Sequence, residues 1–423
     1  MPIKGRLSGK RKKLLWLAAF VAVCAAGCSV LYNRIGGAFR GEPSEMWVAL
    51  SPEARELAEA AFEDIAPEQL TDFHVHVVGL GAGGTGIYVN PRWRAWWNPV
   101  KRGYTAVYMS AAGVTDETTA DADYVRRLVE LAENFRSSGK FFLFAMDKYH
   151  GPSGAPNLER TTIHVPNDYV VDLAENRPDL FVPVISVHPY RSDAVLELEK
   201  WALRGVRHVK WLPNAMGIDP SSELTEPFYG ALRGLDFTLL THTGRESAID
   251  AHHQNLGNPL LLRKALDSGV RVVALHSASH GTSADFETPG NKEVPSFDLF
   301  LRLMDEPKYE GLLFGEISAM TFFNHLPRPL TVLLERQDLH HRLVNGSDYP
   351  IPGVNIATQT KALVREGFIT EEERLHLNDI YGYNPLLFDF VVKRTVRHPT
   401  SGEKFAPEVF VGLEKPSGAR GPR

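Results

Sequence analysis

Only two cysteines occur in the 423 residues, Cys24 and Cys28, and the chain beyond them has none. The body therefore forms no disulfide and offers no thiolate as nucleophile or metal ligand. Any metal site in it must be assembled from His, Asp, Glu or a chemically modified Lys. Positive charge is also short: the formal net charge is −5 and the body has no long basic run, which argues against nucleic acid as a partner. Internal repeats and low-complexity tracts are missing. A dinucleotide fingerprint is missing too. The glycines of GLGAGGTG (79–86) follow an apolar run, but Pro91 and a tryptophan-rich loop come next, where a helix and a later acid are required. That stretch reads as a flexible loop between a strand and a helix.

The N-terminus differs from the rest. Six basic residues, Lys4, Arg6, Lys10, Arg11, Lys12 and Lys13, precede LLWLAAFVAVCAA, the charged-then-apolar order of an export signal. Ala25-Ala26-Gly27-Cys28 then resembles a bacterial lipobox, which makes Cys28 the expected lipidation site. An uncleaved anchor from Leu14 to about Tyr32 is the rival reading. Both hold the body at a membrane, facing the bacterial periplasm. The expected organisation is a signal or anchor over 1–28, a lead-in over 29–69, one catalytic domain over 70–397 and a poorly ordered tail over 398–423.

From residue 70 onward short apolar runs alternate with amphipathic helical segments. TDFHVHVV, KFFLFAMDK, LFVPVISVHP, VRHVKWLPN, DFTLLTHTG, VRVVALHSASHG, EGLLFGEISAM and HRLVNGSDYP read as eight strands. Strands that alternate with helices imply parallel pairing and right-handed crossovers, and eight such units predict a (β/α)8 TIM barrel. Along the first strand the period of two puts His74 and His76 on one face, with Phe73, Val75 and Val77 on the other. Two neighbouring imidazoles on a buried face are either hydrogen-bonded core residues or metal ligands. The other strands favour ligands, because Lys210, His242, His276 and Asp348 recur at or near strand ends, where barrel enzymes place their chemistry.

Taken in order, DFHVH, the lysine of RHVKWLP, THTG, ALHSASHG and NGSDYP resemble the amidohydrolase superfamily, in particular its amidohydrolase-related branch of metal-dependent hydrolases and decarboxylases. The resemblance spans roughly residues 70 to 395. It implies that His74, His76 and Asp348 hold a first divalent metal, zinc foremost, and that His242 and His276 hold a second, or that His242 completes the first. It assigns the catalytic work to Asp348, His276 and Lys210. Lys210 either carries a carbamate that bridges two metals or binds an anionic substrate. Arg245, Glu316 and His188 are expected to contact substrate, with Glu316 alternatively orienting a ligand histidine. The expected activity is hydrolysis of an ester, lactone or amide bond in a small molecule. A mononuclear decarboxylase or hydratase is the alternative on the same scaffold. A non-catalytic metal-binding envelope protein is the alternative of another class.

Overall fold

The computed structural model describes residues 35–135 and 139–413. The expected export segment and Cys28 lie outside the described residues, among which no helix is long and apolar enough to cross a membrane.

The eight expected strands all form: β1 (Thr71–His76), β2 (Lys140–Phe144), β3 (Phe181–Val184), β4 (His208–Trp211), β5 (Thr238–His242), β6 (Arg271–Leu275), β7 (Leu313–Glu316) and β8 (Leu343–Val344). β1, β2 and β3 pair in parallel as one sheet, and β4 to β8 as a second. Parallel bridges close both seams. Ile185 pairs with Val209 between β3 and β4, and Val75 pairs with Tyr349 between β1 and the chain beyond β8. The strands therefore form a ring, with eight short apolar segments satisfying one another's backbone groups and leaving no free edge.

The helices that cover this ring include α1 (Pro99–Ala111), α2 (Ala120–Glu133), α3 (Ala194–Leu203), α4 (Glu226–Gly234), α5 (Ser296–Met304), α6 (Glu371–Tyr381) and α7 (Pro385–Thr395). Local sequence sets their ends. The side chains of Asn98 and Asn384 accept backbone N–H groups at the starts of α1 and α7, each followed by proline at the first helical position. Thr370 and Glu373 form a reciprocal capping box on α6.

The ring interior is apolar. Phe73, Phe142, Phe144, Val184, Leu240, Val273, Leu275 and Val344 make one buried cluster, with Phe73 stacked on Phe142 at 4.2 Å between ring centroids. Simple alternation expects Phe73 on the opposite face from His74. The β1–β2 register shifts between Asp72 and Val75, so a bulge turns Phe73 inward and breaks that alternation.

The expected tail is also corrected over the residues described. Phe405, Val409 and Phe410 are buried, Asn345 N–H donates to the Val409 carbonyl at 2.8 Å, and the Thr71 hydroxyl reaches the Phe410 carbonyl at 3.4 Å. This segment closes the end of the barrel where β1 begins, and its glycine, proline and charges mislead because three apolar residues anchor it.

Candidate active site

The chemistry-bearing residues gather at the opposite end, where the strands finish. Residues 347–349 run alongside β1, with Asp348 N–H donating to the His74 carbonyl at 2.8 Å and His76 N–H donating to the Tyr349 carbonyl at 2.9 Å. Asp72 locks the same seam. Its Oδ1 accepts from the backbone of His74 at 3.0 Å and of Ser347 at 2.8 Å. Asp348 is thereby fixed opposite the two histidines, although 272 residues separate it from His76. The backbone at this mouth is strained. His276, Ser277, Ala278, Ala319 and Asp348 all have φ between 47° and 61°. Non-glycine residues in this region cost about 1–3 kcal/mol each, and such strain persists only where surrounding contacts over-determine it.

Three atoms converge. His74 Nε2 and His76 Nε2 lie 3.1 Å apart, and Asp348 Oδ1 is 3.2 Å from each. Burial holds the His76 ring down to about 3 and His74 well below its ordinary range, with Lys210 the next cause in both, so the two rings are neutral at pH 7. His74 uses Nδ1 toward Glu316 Oε2 at 3.2 Å, so the nitrogen facing His76 presents a lone pair. Lone pairs aimed at one point call for a cation. Ligands about 2.1 Å from zinc would be about 3.0 Å apart in octahedral and about 3.4 Å apart in tetrahedral geometry. The observed edges fall between these values, and the residues fit a divalent metal.

Glu316 and Ser318 stand behind this triad. Glu316 Oε2 accepts from His74 Nδ1, from His276 N–H at 3.1 Å and from the Ser318 hydroxyl at 2.7 Å, while Oε1 accepts the Ser318 N–H. The Ser318 oxygen in turn accepts from His276 Nδ1 at 2.8 Å. One carboxylate thus fixes the tautomers of both His74 and His276. Burial pushes the Glu316 carboxyl up to about 7, but four donors converge on two oxygens and hold it as the acceptor. The expected substrate contact by Glu316 is corrected: it is fully buried with both oxygens engaged, and it orients the His74 ring directly and the His276 ring through Ser318. Glu316→Gln leaves one acceptor oxygen where four donors meet. Metal affinity is expected to fall about 10- to 100-fold, measured by competition with a chromophoric chelator; an unchanged affinity would remove Glu316 from this role.

A second donor set lies alongside. The His242 and His276 rings are 4.8 Å apart, and His276 is 5.0 Å from His74. His242 Nε2 is buried without a hydrogen-bond partner among the described residues, while Nδ1 faces Glu246 Oε2 at 3.5 Å. Burial keeps both rings well below the ordinary range. Lys210 is buried with Nζ 4.7 Å from the centre of the Phe144 ring, and no carboxylate of the described residues lies within ion-pair distance. Burial lowers its pKa, the three nearby carboxylates Asp348, Glu316 and Glu246 notwithstanding.

His188 does not join the site. Its Nε2 bonds the Met216 carbonyl at 3.0 Å and its Nδ1 accepts the Tyr190 N–H at 3.2 Å, so both ring nitrogens are used structurally and the expected substrate contact is corrected. Arg245 lies exposed on the rim of an outer cleft of about 480 Å³. An inner, largely apolar cleft of about 140 Å³ contains Lys210, Val77, Met146 and Leu212. Both clefts reach His242, Glu246, His276 and Asp348. Sequence reasoning missed Glu246 and Ser318. An acid four residues past a strand-end histidine is a usable signal for Glu246, whereas nothing in ISAM marks Ser318.

A ring of parallel strands carries a paired-histidine strand, a remote aspartate and further histidines at its mouth, a donor set that could hold a metal ion. The chain belongs to the amidohydrolase family, whose model matches residues 71–386. Members of that family are generally enzymes that use divalent metals. No curated protein matches the chain. Among solved structures, a probable 2-pyrone-4,6-dicarboxylic acid hydrolase from Acinetobacter baumannii with citric acid bound is 14% identical at a TM-score of 0.43, covering 74% of this chain and 100% of that one. A 5-carboxyvanillate decarboxylase from Novosphingobium aromaticivorans with bound manganese is 11% identical at a TM-score of 0.41, covering 78% and 95%. The family assignment rests on the family model.

Proposed function

We propose that this protein is a metal-dependent hydrolase, held at a membrane, that cleaves an ester, lactone or amide bond in a small molecule. The observation that carries the reading is the convergence of two imidazole lone pairs and one carboxylate oxygen within 3.1–3.2 Å of one another. His74, His76 and Asp348 would hold one divalent ion, zinc by preference, and His242, His276 and a carbamylated Lys210 a second. Bound there, the ions supply a water acidified toward neutrality and a Lewis acid for the carbonyl oxygen.

The chain's own residues do the rest. Asp348, which lines both clefts, takes the proton of the attacking water as the new C–O bond forms and returns it to the leaving oxygen or nitrogen as the scissile bond breaks. Glu316 and Ser318 keep the histidines in one tautomer. Phe144 and the inner cleft exclude water, and Arg245 pairs with a substrate carboxylate at the rim. That rim cation also favours the second reading, a decarboxylase acting on an acid. The test is a panel of lactones, esters, amides and aromatic acids assayed with zinc and with chelator. Chelator-sensitive hydrolysis without CO2 release is expected, and CO2 release would transfer the assignment to the decarboxylase.

The basic and apolar order of residues 4–26 supports export and anchoring, through a lipid on Cys28 or through the apolar run itself. Release of the chain from membranes by salt alone would contradict it.

A further inference from the structure

The mouth of the barrel carries an apolar surface that catalysis does not use. Trp96 and Trp97 are 78% and 66% exposed and meet edge to face, and Val100 and Tyr104 on α1 are 65% and 44% exposed. Positions 100, 104, 107 and 108 follow helical spacing along one stripe of α1, and Trp96 and Trp97 sit in the turn just before its N-cap Asn98. The stripe runs inward, since Val100, Tyr104, Val107 and Tyr108 line the outer cleft that ends at Asp348. Across that cleft Phe323 and Ile356 are half exposed. Singly exposed apolar residues are ordinary, but a contiguous patch on the rim of a catalytic mouth marks an interaction surface.

We infer that this rim docks on a lipid bilayer with anionic headgroups, so that the outer cleft opens onto the membrane and receives an amphiphilic substrate from it. The composition fits that partner. RWRAWWNPVKR (92–102) contains four basic residues and no acid. Tryptophan and tyrosine favour the headgroup layer, where an apolar ring and a polar edge are both satisfied, and an arginine free of a protein carboxylate places its charge beside lipid phosphates. Glu159, Glu117 and Asp250 pair with Arg92, Arg94 and Lys101, which leaves Arg102 without an ion-pair partner among the described residues.

The chain's entry point supplies a second, independent argument. Ile35, the first described residue, lines the same cleft as Val100 and Tyr104, and its carbonyl is held by Asn355 N–H at 2.8 Å. Seven residues separate it from Cys28 and nine from Ala26, the end of the apolar run. Fully extended, those links reach about 25 Å and about 30 Å. A membrane tether on either residue therefore keeps the face bearing Ile35 within that distance of the bilayer.

The inference rests on the anchoring reading above, and the test separates the two. The full chain is reconstituted into phosphatidylethanolamine–phosphatidylglycerol vesicles with and without lipids brominated near the headgroup, and tryptophan fluorescence is compared between the wild type and W96F/W97F. Trp96 and Trp97 are exposed, so phenylalanine leaves the fold unchanged. Bromolipid is expected to quench the wild type; the double variant should lose about two-thirds of that quenching if an uncleaved anchor keeps Trp16, the share of two interfacial tryptophans among three, and nearly all of it if the chain begins at a lipidated Cys28. Chain that floats with the vesicles but shows equal quenching in both proteins overturns the docking and leaves the anchor standing. So does a blue-shifted Trp96/Trp97 emission insensitive to bromolipid, which would mean that residues 14–26 cover the patch. Chain that fails to float removes the anchor and the docking together.

Discussion

Asn in place of Asp348 is expected to lower turnover by a factor on the order of a thousand or more. Two functions are lost together. Asp348 Oδ1 lies 3.2 Å from both His74 Nε2 and His76 Nε2, so the neutral amide withdraws a negative ligand from the triad. It also withdraws the base, because an amide cannot take the proton of the attacking water. The fold should stay. The backbone contacts that place this residue, Asp348 N–H to the His74 carbonyl and the seam fixed by Asp72, do not involve its side chain. Asparagine also tolerates the left-handed backbone that φ of 61° requires. The measurement is hydrolysis of whichever ester, lactone or amide the wild type accepts, alongside urea unfolding of both proteins. Activity within tenfold of the wild type would remove Asp348 from catalysis, and a lost unfolding transition would mean that its role is structural.

Replacing Lys210 with Ala is expected to remove one of two bound ions and at least about a hundredfold of activity. A buried lysine without a partnering carboxylate is unfavourable as an ammonium, and burial lowers its pKa, which keeps amine available to react with CO2. On the proposed reading, a carbamate would convert a cation that repels metal into an anion that binds it. Propionate, which carries a carboxylate on a chain short enough to enter the vacated space, should then restore part of the metal content and rate. An ammonium that merely binds an anionic substrate gives a different pattern. In that case K210A raises KM, leaves metal stoichiometry unchanged, and propionate inhibits.

Much of this site is legible in the amino-acid order because barrel strands report their own ends. A short apolar run that stops at His242 or His276 announces both the strand and the mouth, and parallel closure then brings residues as distant as His76 and Asp348 within 3.2 Å. Single-strand periodicity cannot reveal the bulge that turns Phe73 inward, since register shifts depend on the partner strand. The roles of Glu316 and Ser318 are hidden for a related reason. Glu316 is visible as a polar residue ending β7, but whether it meets substrate or histidine depends on the side chains stacked on either side of it. Ser318 matters through one hydroxyl bridging His276 and Glu316, a contact made by loop geometry rather than by residue type. His188 fails in the opposite direction. It ends the apolar run LFVPVISVHP that forms β3, but it lies four residues past Val184 where His276 directly follows Leu275, and the Met216 carbonyl and the Tyr190 N–H consume both of its nitrogens.

The central claim is that His74, His76 and Asp348 form a metal centre, and metal analysis of the purified full chain tests it most directly. Wild type and H74A/H76A are expressed with zinc and bicarbonate, dialysed against metal-free buffer and measured by inductively coupled plasma mass spectrometry. About two divalent ions per wild-type chain are expected, and the double variant should lose at least one of them. A folded wild type without stoichiometric metal, or a double variant that retains the full complement, would contradict the account and return His74 and His76 to the packed core.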